Sequence, residues 1–104
     1  MSNTPLTRTV TVCNPQGLHA RPADMLVRLA NQFESEIQIG KDGQLVDCKS
    51  ILSILTLGAA QGTQLSLTAL GGDAASALQS ISELFEAGFE ETNEIEGAKP
   101  AVDS

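Results

Sequence analysis

The sequence predicts an α+β fold in which a four-stranded antiparallel sheet carries helices on one face. Three observations support this. Four short segments read as strands, three segments repeat their apolar residues at helical spacing or carry helix-cap signals, and the order along the chain is βαββαβα without internal repeats. The chain has 104 residues, 41% of them hydrophobic and 3% aromatic, enough for a single core. Residues 1–91 are expected to form one domain. Residues 92–104, acidic and without periodicity, are expected to be a disordered tail.

The first strand is Leu6 to Val12, with Leu6, Arg8, Val10 and Val12 on one parity and three threonines on the other. Asn14-Pro15-Gln16-Gly17 breaks it. From Pro22 to Phe33 the residues Ala23, Leu26, Val27, Ala30 and Phe33 form a helical stripe. Arg21 precedes a proline and is biased away from α geometry, so the cap of this helix falls anywhere from His19 to Arg21. Glu36 to Ile39 and Gln44 to Cys48 are strands joined by Gly40-Lys41-Asp42-Gly43, whose Asp-Gly pair suits a hairpin turn with positive φ. Ser50 and Gly58 bracket the apolar Ile51 to Leu57 as helix caps. Leu65, Leu67 and Ala69 alternate with polar residues in a fourth strand. Gly71-Gly72-Asp73 supplies a turn and an N-cap for a last helix, faced by Ala74, Ala77, Leu78, Ile81, Leu84 and Phe85 and ending near Gly88.

Charge narrows the function classes. In residues 1–72, Arg8, Arg21, Arg28, Lys41 and Lys49 balance Asp24, Glu34, Glu36, Asp42 and Asp47. Beyond them, Lys99 opposes Asp73, Glu83, Glu86, Glu90, Glu91, Glu94, Glu96 and Asp103, so the whole net charge of -7 belongs to the C-terminal third. That balance disfavours nucleic acid as a partner. No apolar run is long enough to span a membrane and no secretory signal is evident, so the expected location is cytoplasmic, with no membrane insertion. Cys13 and Cys48 are expected to be reduced, small apolar residues at strand ends. Their spacing with a single histidine matches no zinc pattern, and no metal site is expected.

The chemistry concentrates in Gly17-Leu18-His19-Ala20-Arg21-Pro22-Ala23, which holds the only histidine. A helix N-terminus offers unpaired N–H groups and positive partial charge to an anion. Pro22 lacks an N–H where none is required, Gly17 permits close backbone approach, and Arg21 adds a fork of donors suited to phosphate oxygens. A neutral imidazole carries the lone pair that attack on phosphorus needs. The bland alternative is a histidine that only caps a helix.

This heptapeptide resembles the active-site signature of the histidine-containing phosphocarrier (HPr) family of the bacterial phosphoenolpyruvate-dependent phosphotransferase system. Lys49-Ser50-Ile51-Leu52, with Leu57-Gly58 and Gln61-Gly62, is similar to the family's regulatory-serine segment, and Leu84-Phe85-Glu86-Ala87-Gly88-Phe89 to its last helix. The resemblance covers about Thr7 to Glu91. It implies an HPr-like open-faced β-sandwich with strand order 1-4-2-3 and three helices on one face. The first and third strands would then be opposite edges, which argues against a Cys13–Cys48 disulfide.

The resemblance also implies a function. His19 would accept a phosphoryl group at Nδ1 from enzyme I, which draws it from phosphoenolpyruvate, and pass it to a histidine of an EIIA-type protein or domain. Arg21 and the backbone N–H groups of Ala20 and Arg21 would hold the phosphate. Ser50 would be the regulatory serine of an HPr kinase/phosphorylase, against the plainer reading as an N-cap. Leu18, Ile51, Leu52 and Leu55 would form an exposed apolar docking patch, with Arg21 and Lys49 supplying charge toward acidic partners. Such a carrier is stoichiometric, needs no metal, nucleotide or organic cofactor, and acts as a monomer. The alternative within the family is a regulatory paralogue, nitrogen-related or phosphoserine-dependent, without a role in sugar transport.

Overall fold

The computed structural model describes residues 4–90. Its elements are β1 (Leu6–Thr11), α1 (Ala20–Ala30), β2 (Glu36–Lys41), β3 (Gln44–Asp47), α2 (Ile51–Thr56), β4 (Gln64–Leu70) and α3 (Ala74–Glu86), closed by a 3-10 turn over Gly88–Glu90. The strands form one antiparallel sheet in the order β1-β4-β2-β3. The hairpin between β2 and β3 turns on Asp42 (φ 54) and Gly43 (φ 81), with Lys41 and Gln44 paired on either side. This is the positive-φ turn that the Asp-Gly pair calls for.

Period-two alternation places Ile37, Ile39, Leu65, Leu67 and Ala69 beneath the helices, and all five are buried. Ala23, Leu26 and Ala30 of α1, Ile54 of α2, and Ala77, Leu78, Ile81 and Phe85 of α3 close the core from above. Each large buried side chain contributes about 1.5–3 kcal/mol of transfer free energy. The other face of the sheet stays open.

β1 departs from a simple half-buried strand. Of its own residues only Val10 is buried, while Leu6 is 44% exposed. Arg8 keeps the helix-side parity but reaches past the core, donating from Nη1 to Ser82 Oγ (3.2 Å) and Gln79 Oε1 (3.3 Å) of α3. Its long stem covers apolar surface while its head stays wet.

α1 starts two residues before Pro22 and ends at Ala30, short of the expected Phe33. At its end the amides of Gln32 and Phe33 turn to Leu29 O and Ala30 O, three residues back, which tightens and closes the last turn. Asp73 caps α3 by position only, because its carboxylate makes no capping bond. It instead accepts the backbone N–H groups of Glu34 and Ser35 (2.9 Å each) and the Ser35 hydroxyl, clasping the α1–β2 loop to the β4–α3 turn. A side chain at Gly71 would collide with Ser35, so the two segments lie in direct contact.

The Ser35 hydroxyl, followed by the Glu34 N–H, holds the Asp73 carboxyl below its ordinary 3.8. A carboxyl depressed in the folded state adds stability above its unfolded value, and that contribution is lost as pH falls through the folded value. The stability difference between the parent and Asp73→Asn in urea unfolding should therefore be constant near neutrality and shrink below about pH 4. A difference that stays unchanged down to pH 3 would contradict the clasp.

Candidate functional site

The loop between β1 and α1 is held by backbone bonds to the loop between α2 and β4. Val12 donates to Thr63 O (2.9 Å) and accepts from Gly62 N (2.7 Å), and Leu18 donates to Ala59 O (2.9 Å). Gln61 Nε2 adds a bond to Cys13 O at 3.0 Å. Within the loop, Gly17 donates to Asn14 O (3.1 Å), and the buried Asn14 returns a bond from Nδ2 to Gly17 O at 2.7 Å. Gly17 takes φ +72, and a Cβ there would overlap the Ala59 carbonyl oxygen and lie 2.9 Å from Ala60 Cα. Glycine is required here for both conformation and space.

This packing delivers His19 to the N-cap of α1 in extended geometry, φ −86 and ψ −167. A helix start leaves its leading N–H groups without intrahelical partners, and each can be traced here. The His19 amide bonds Gly17 O (3.0 Å), Pro22 has no N–H, and Ala23 closes the first regular bond to His19 O at 2.9 Å. The imidazole makes no capping bond. The N–H groups of Ala20 and Arg21 thus have no acceptor among the described residues. Both residues are exposed, and the first turn carries no acidic side chain to compete for them. Asp24, one turn on, is paired with Arg28 at 2.8 Å. A half-buried imidazole, two open amides and an exposed guanidinium therefore share one end of a helix. That end attracts phosphate oxygens.

Ser50 is the N-cap of α2, where its Oγ accepts from Ser53 N at 3.3 Å. Lys49 is half-buried, and its ammonium donates to Phe33 O at 2.7 Å beyond the end of α1. The expected apolar patch is corrected at one position. Leu18 is only 4% exposed, because its amide bond to Ala59 draws it into the core. Ile51 is half-buried, while Leu52 and Leu55 of α2 are 73% and 37% exposed. Cys13 is exposed, whereas Cys48 is buried and burial pushes its thiol up to about 12. Both thiols are free. Their strands are opposite edges of the sheet.

The family model described as the PTS HPr component phosphorylation site matches residues 6–87, a span that contains the whole cap. The chain belongs to the HPr family of the phosphotransferase system. It is 40% identical to the phosphocarrier protein HPr of Treponema pallidum (strain Nichols) over 84 residues, covering 81% of this chain and 96% of that one. It is also 43% identical over 88 residues to a multiphosphoryl transfer protein of Vibrio cholerae, of which the match spans 22%. A crystal structure of HPr-C-His from Thermoanaerobacter tengcongensis superposes with a TM-score of 0.81 at 39% identity, covering 84% of this chain and 98% of that one. A Bacillus subtilis Crh structure, a domain-swapped dimer named for catabolite repression, superposes at 0.65 and 37% identity, covering 76% and 91%. An HPr phosphocarrier is thus the family role. No helix among the described residues is long and apolar enough to cross a membrane.

Sequence reading did not single out Asn14 or Ala59, although both shape the cap. Asn14 opens an Asn-Pro-Gln-Gly turn, a position where Asn side chains bond backbone a few residues on, and this was an available signal. Ala59 contributes only a carbonyl, which leaves no trace in residue type. Gly17→Ala should cost about 2 kcal/mol or more in urea unfolding, from positive φ and overlap together. Gly58 also has positive φ (+56), but open space surrounds it, so Gly58→Ala should cost distinctly less. Equal costs would remove the close approach at Gly17 from the account.

Proposed function

We propose that the chain is a phosphocarrier that accepts a phosphoryl group on His19 Nδ1 from phospho-enzyme I, ultimately from phosphoenolpyruvate, and donates it to a histidine of an EIIA-type protein or domain. The observation that supports this best is the pairing of the only histidine with the two uncommitted amides of Ala20 and Arg21 at the start of α1. As the donor's bond to phosphorus breaks, the Nδ1–P bond forms. The amides and the Arg21 guanidinium receive the phosphoryl oxygens, and the same contacts are re-formed in reverse on transfer to the acceptor. Their strength must stay moderate, because a carrier has to release what it binds. All these groups come from one chain, in keeping with action as a monomer. Working beside cytoplasmic enzymes, the carrier would itself be cytoplasmic.

Leu52, Leu55 and the exposed rim of Ile51 form the apolar part of the proposed docking face, and Arg21 and Lys49 its cationic part. Leu18 supports that face from beneath. Ser50 is proposed as a second phosphate acceptor for an HPr kinase/phosphorylase, its ester placing negative charge on this face and opposing acidic partners. A regulatory role without sugar transport gains some support from the likeness to Crh.

Incubation with enzyme I and phosphoenolpyruvate tests the carrier reading. An acid-labile, base-stable adduct should form and be absent in His19→Ala. Arg21→Ala should slow transfer on the order of ten- to a hundredfold, since a hydrogen bond to a charged group contributes about 1.5–3 kcal/mol. No adduct with a competent enzyme I would sink the proposal. Transfer onward to an EIIA-type protein separates a carrier from a purely regulatory paralogue.

A further inference from the structure

The N–H of an N-cap residue is one of the donors at a helix start, and an acidic side chain three residues on commonly takes it. In this chain that position is Pro22, and the first turn of α1 holds no acid. The N–H of the N-cap His19 goes instead to the Gly17 carbonyl, two residues back, at 3.0 Å. This bond closes a three-residue turn around Leu18. Where the Gly17 carbonyl points therefore decides where the His19 N–H points.

Gly17 does not fix that direction by itself. With no Cβ, it leaves the plane of the Gly17–Leu18 peptide free to swing, so hydrogen bonds have to set it. Both ends of this peptide are bonded. Its N–H, from Leu18, donates to Ala59 O at 2.9 Å, and its oxygen accepts from Asn14 Nδ2 at 2.7 Å. Asn14 is 1% exposed, and its own carbonyl accepts Gly17 N at 3.1 Å, so the side chain that makes this bond is itself held. The end of α3 backs it, since a Cβ on Gly88 would lie 4.0 Å from Asn14 Cβ. Burying a side-chain amide is unfavourable unless it is bonded. This one directs a donor to the oxygen beside the acceptor cap.

We propose that Asn14 is a positioning residue that sets how many backbone donors face the phosphoryl group on His19, an inference that rests on the carrier reading of His19. By holding the Gly17 carbonyl against the His19 N–H, Asn14 leaves the cap with two open amides, those of Ala20 and Arg21. Releasing that carbonyl turns the His19 N–H toward the same helix end as a third donor. Another bond to a charged acceptor stabilises the phosphorylated form. On donation the His19 Nδ1–P bond breaks as a bond from phosphorus to the acceptor's histidine nitrogen forms, and His19 Nδ1 keeps the electron pair. A third donor opposes that departure. Asn14 thus keeps the group transferable.

Asn14→Ala and Asn14→Leu test this in the full chain, the second keeping the buried volume while removing the donor. Gln61→Ala is the control, because Gln61 ties Cys13 O in the same loop without touching the Gly17–Leu18 peptide. Before phosphorylation, the His19 amide should exchange with solvent on the order of tenfold faster in both Asn14 variants than in the parent or the control. After phosphorylation, it should move downfield as far as the Ala20 and Arg21 amides in the variants, and by less in the parent. The equilibrium with a phosphorylated EIIA-type protein should shift roughly tenfold toward the phosphocarrier. His19 exchange that is unchanged, or raised equally by Gln61→Ala, overturns the proposal. So does an equilibrium that stays at the parent value while stability in urea falls, the mark of a merely structural residue. A parent chain that a competent enzyme I leaves unmodified sinks the carrier reading, whereas the exchange comparison, which needs no phosphoryl group, reads the hold of Asn14 by itself.

Discussion

The site depends on one backbone exchange, in which the loop ahead of α1 is bonded to the loop ahead of β4 through Val12, Gly62, Thr63, Leu18 and Ala59. Each bond contributes only about 0.5–1.5 kcal/mol net, yet together they fix where the helix starts. Gly17 allows the two backbones to meet, and Leu18 seals the junction by entering the core. His19 follows Leu18 and so inherits its position from a buried neighbour. A histidine on a free loop would not hold a fixed relation to the helix amides, and oriented transfer needs that relation.

The chemistry follows from how donors are used up around that start. The His19 N–H is satisfied locally and Pro22 has none, which confines the open donors to Ala20 and Arg21. In the proposed carrier these two amides and one guanidinium would stabilise a phosphoryl group without burying it, suiting a group that arrives from one protein and leaves to another. Nothing in this arrangement requires an enclosed cavity. The six residues of α2 divide between the core (Ile54) and the surface (Leu52, Leu55), and the proposed carrier would use the surface pair for partner recognition. The proposed acceptor and docking face lie on α1 and α2, which pack together, and could be presented to one partner.

Much of this was legible in the chain. Period-two alternation located β4, and Asp-Gly marked the hairpin because two consecutive positive-φ residues admit few sequences. Serine ahead of an apolar run marked α2 through its capping bond. Other features were hidden because they depend on distant partners. Arg8 sat at a core parity, but nothing local showed that its head would reach Ser82 and Gln79 on α3. Asp73 had the right position for a cap, and a competing pair of amides at Glu34 and Ser35 won its carboxylate. Leu18 was expected in the docking patch on the strength of the family resemblance; its burial follows its contact with Ala59, forty-one residues along. The expected tail at 92–104 lies outside the described residues.

The central claim is that the N–H groups of Ala20 and Arg21 seat the phosphoryl group carried by His19. Comparing amide proton resonances before and after phosphorylation tests it directly. The account predicts that Ala20 and Arg21 move downfield more than any other amides and exchange more slowly with solvent, while Ser53, already bonded to Ser50, hardly shifts. A phosphorylated His19 that leaves the Ala20 and Arg21 amides unmoved would contradict it.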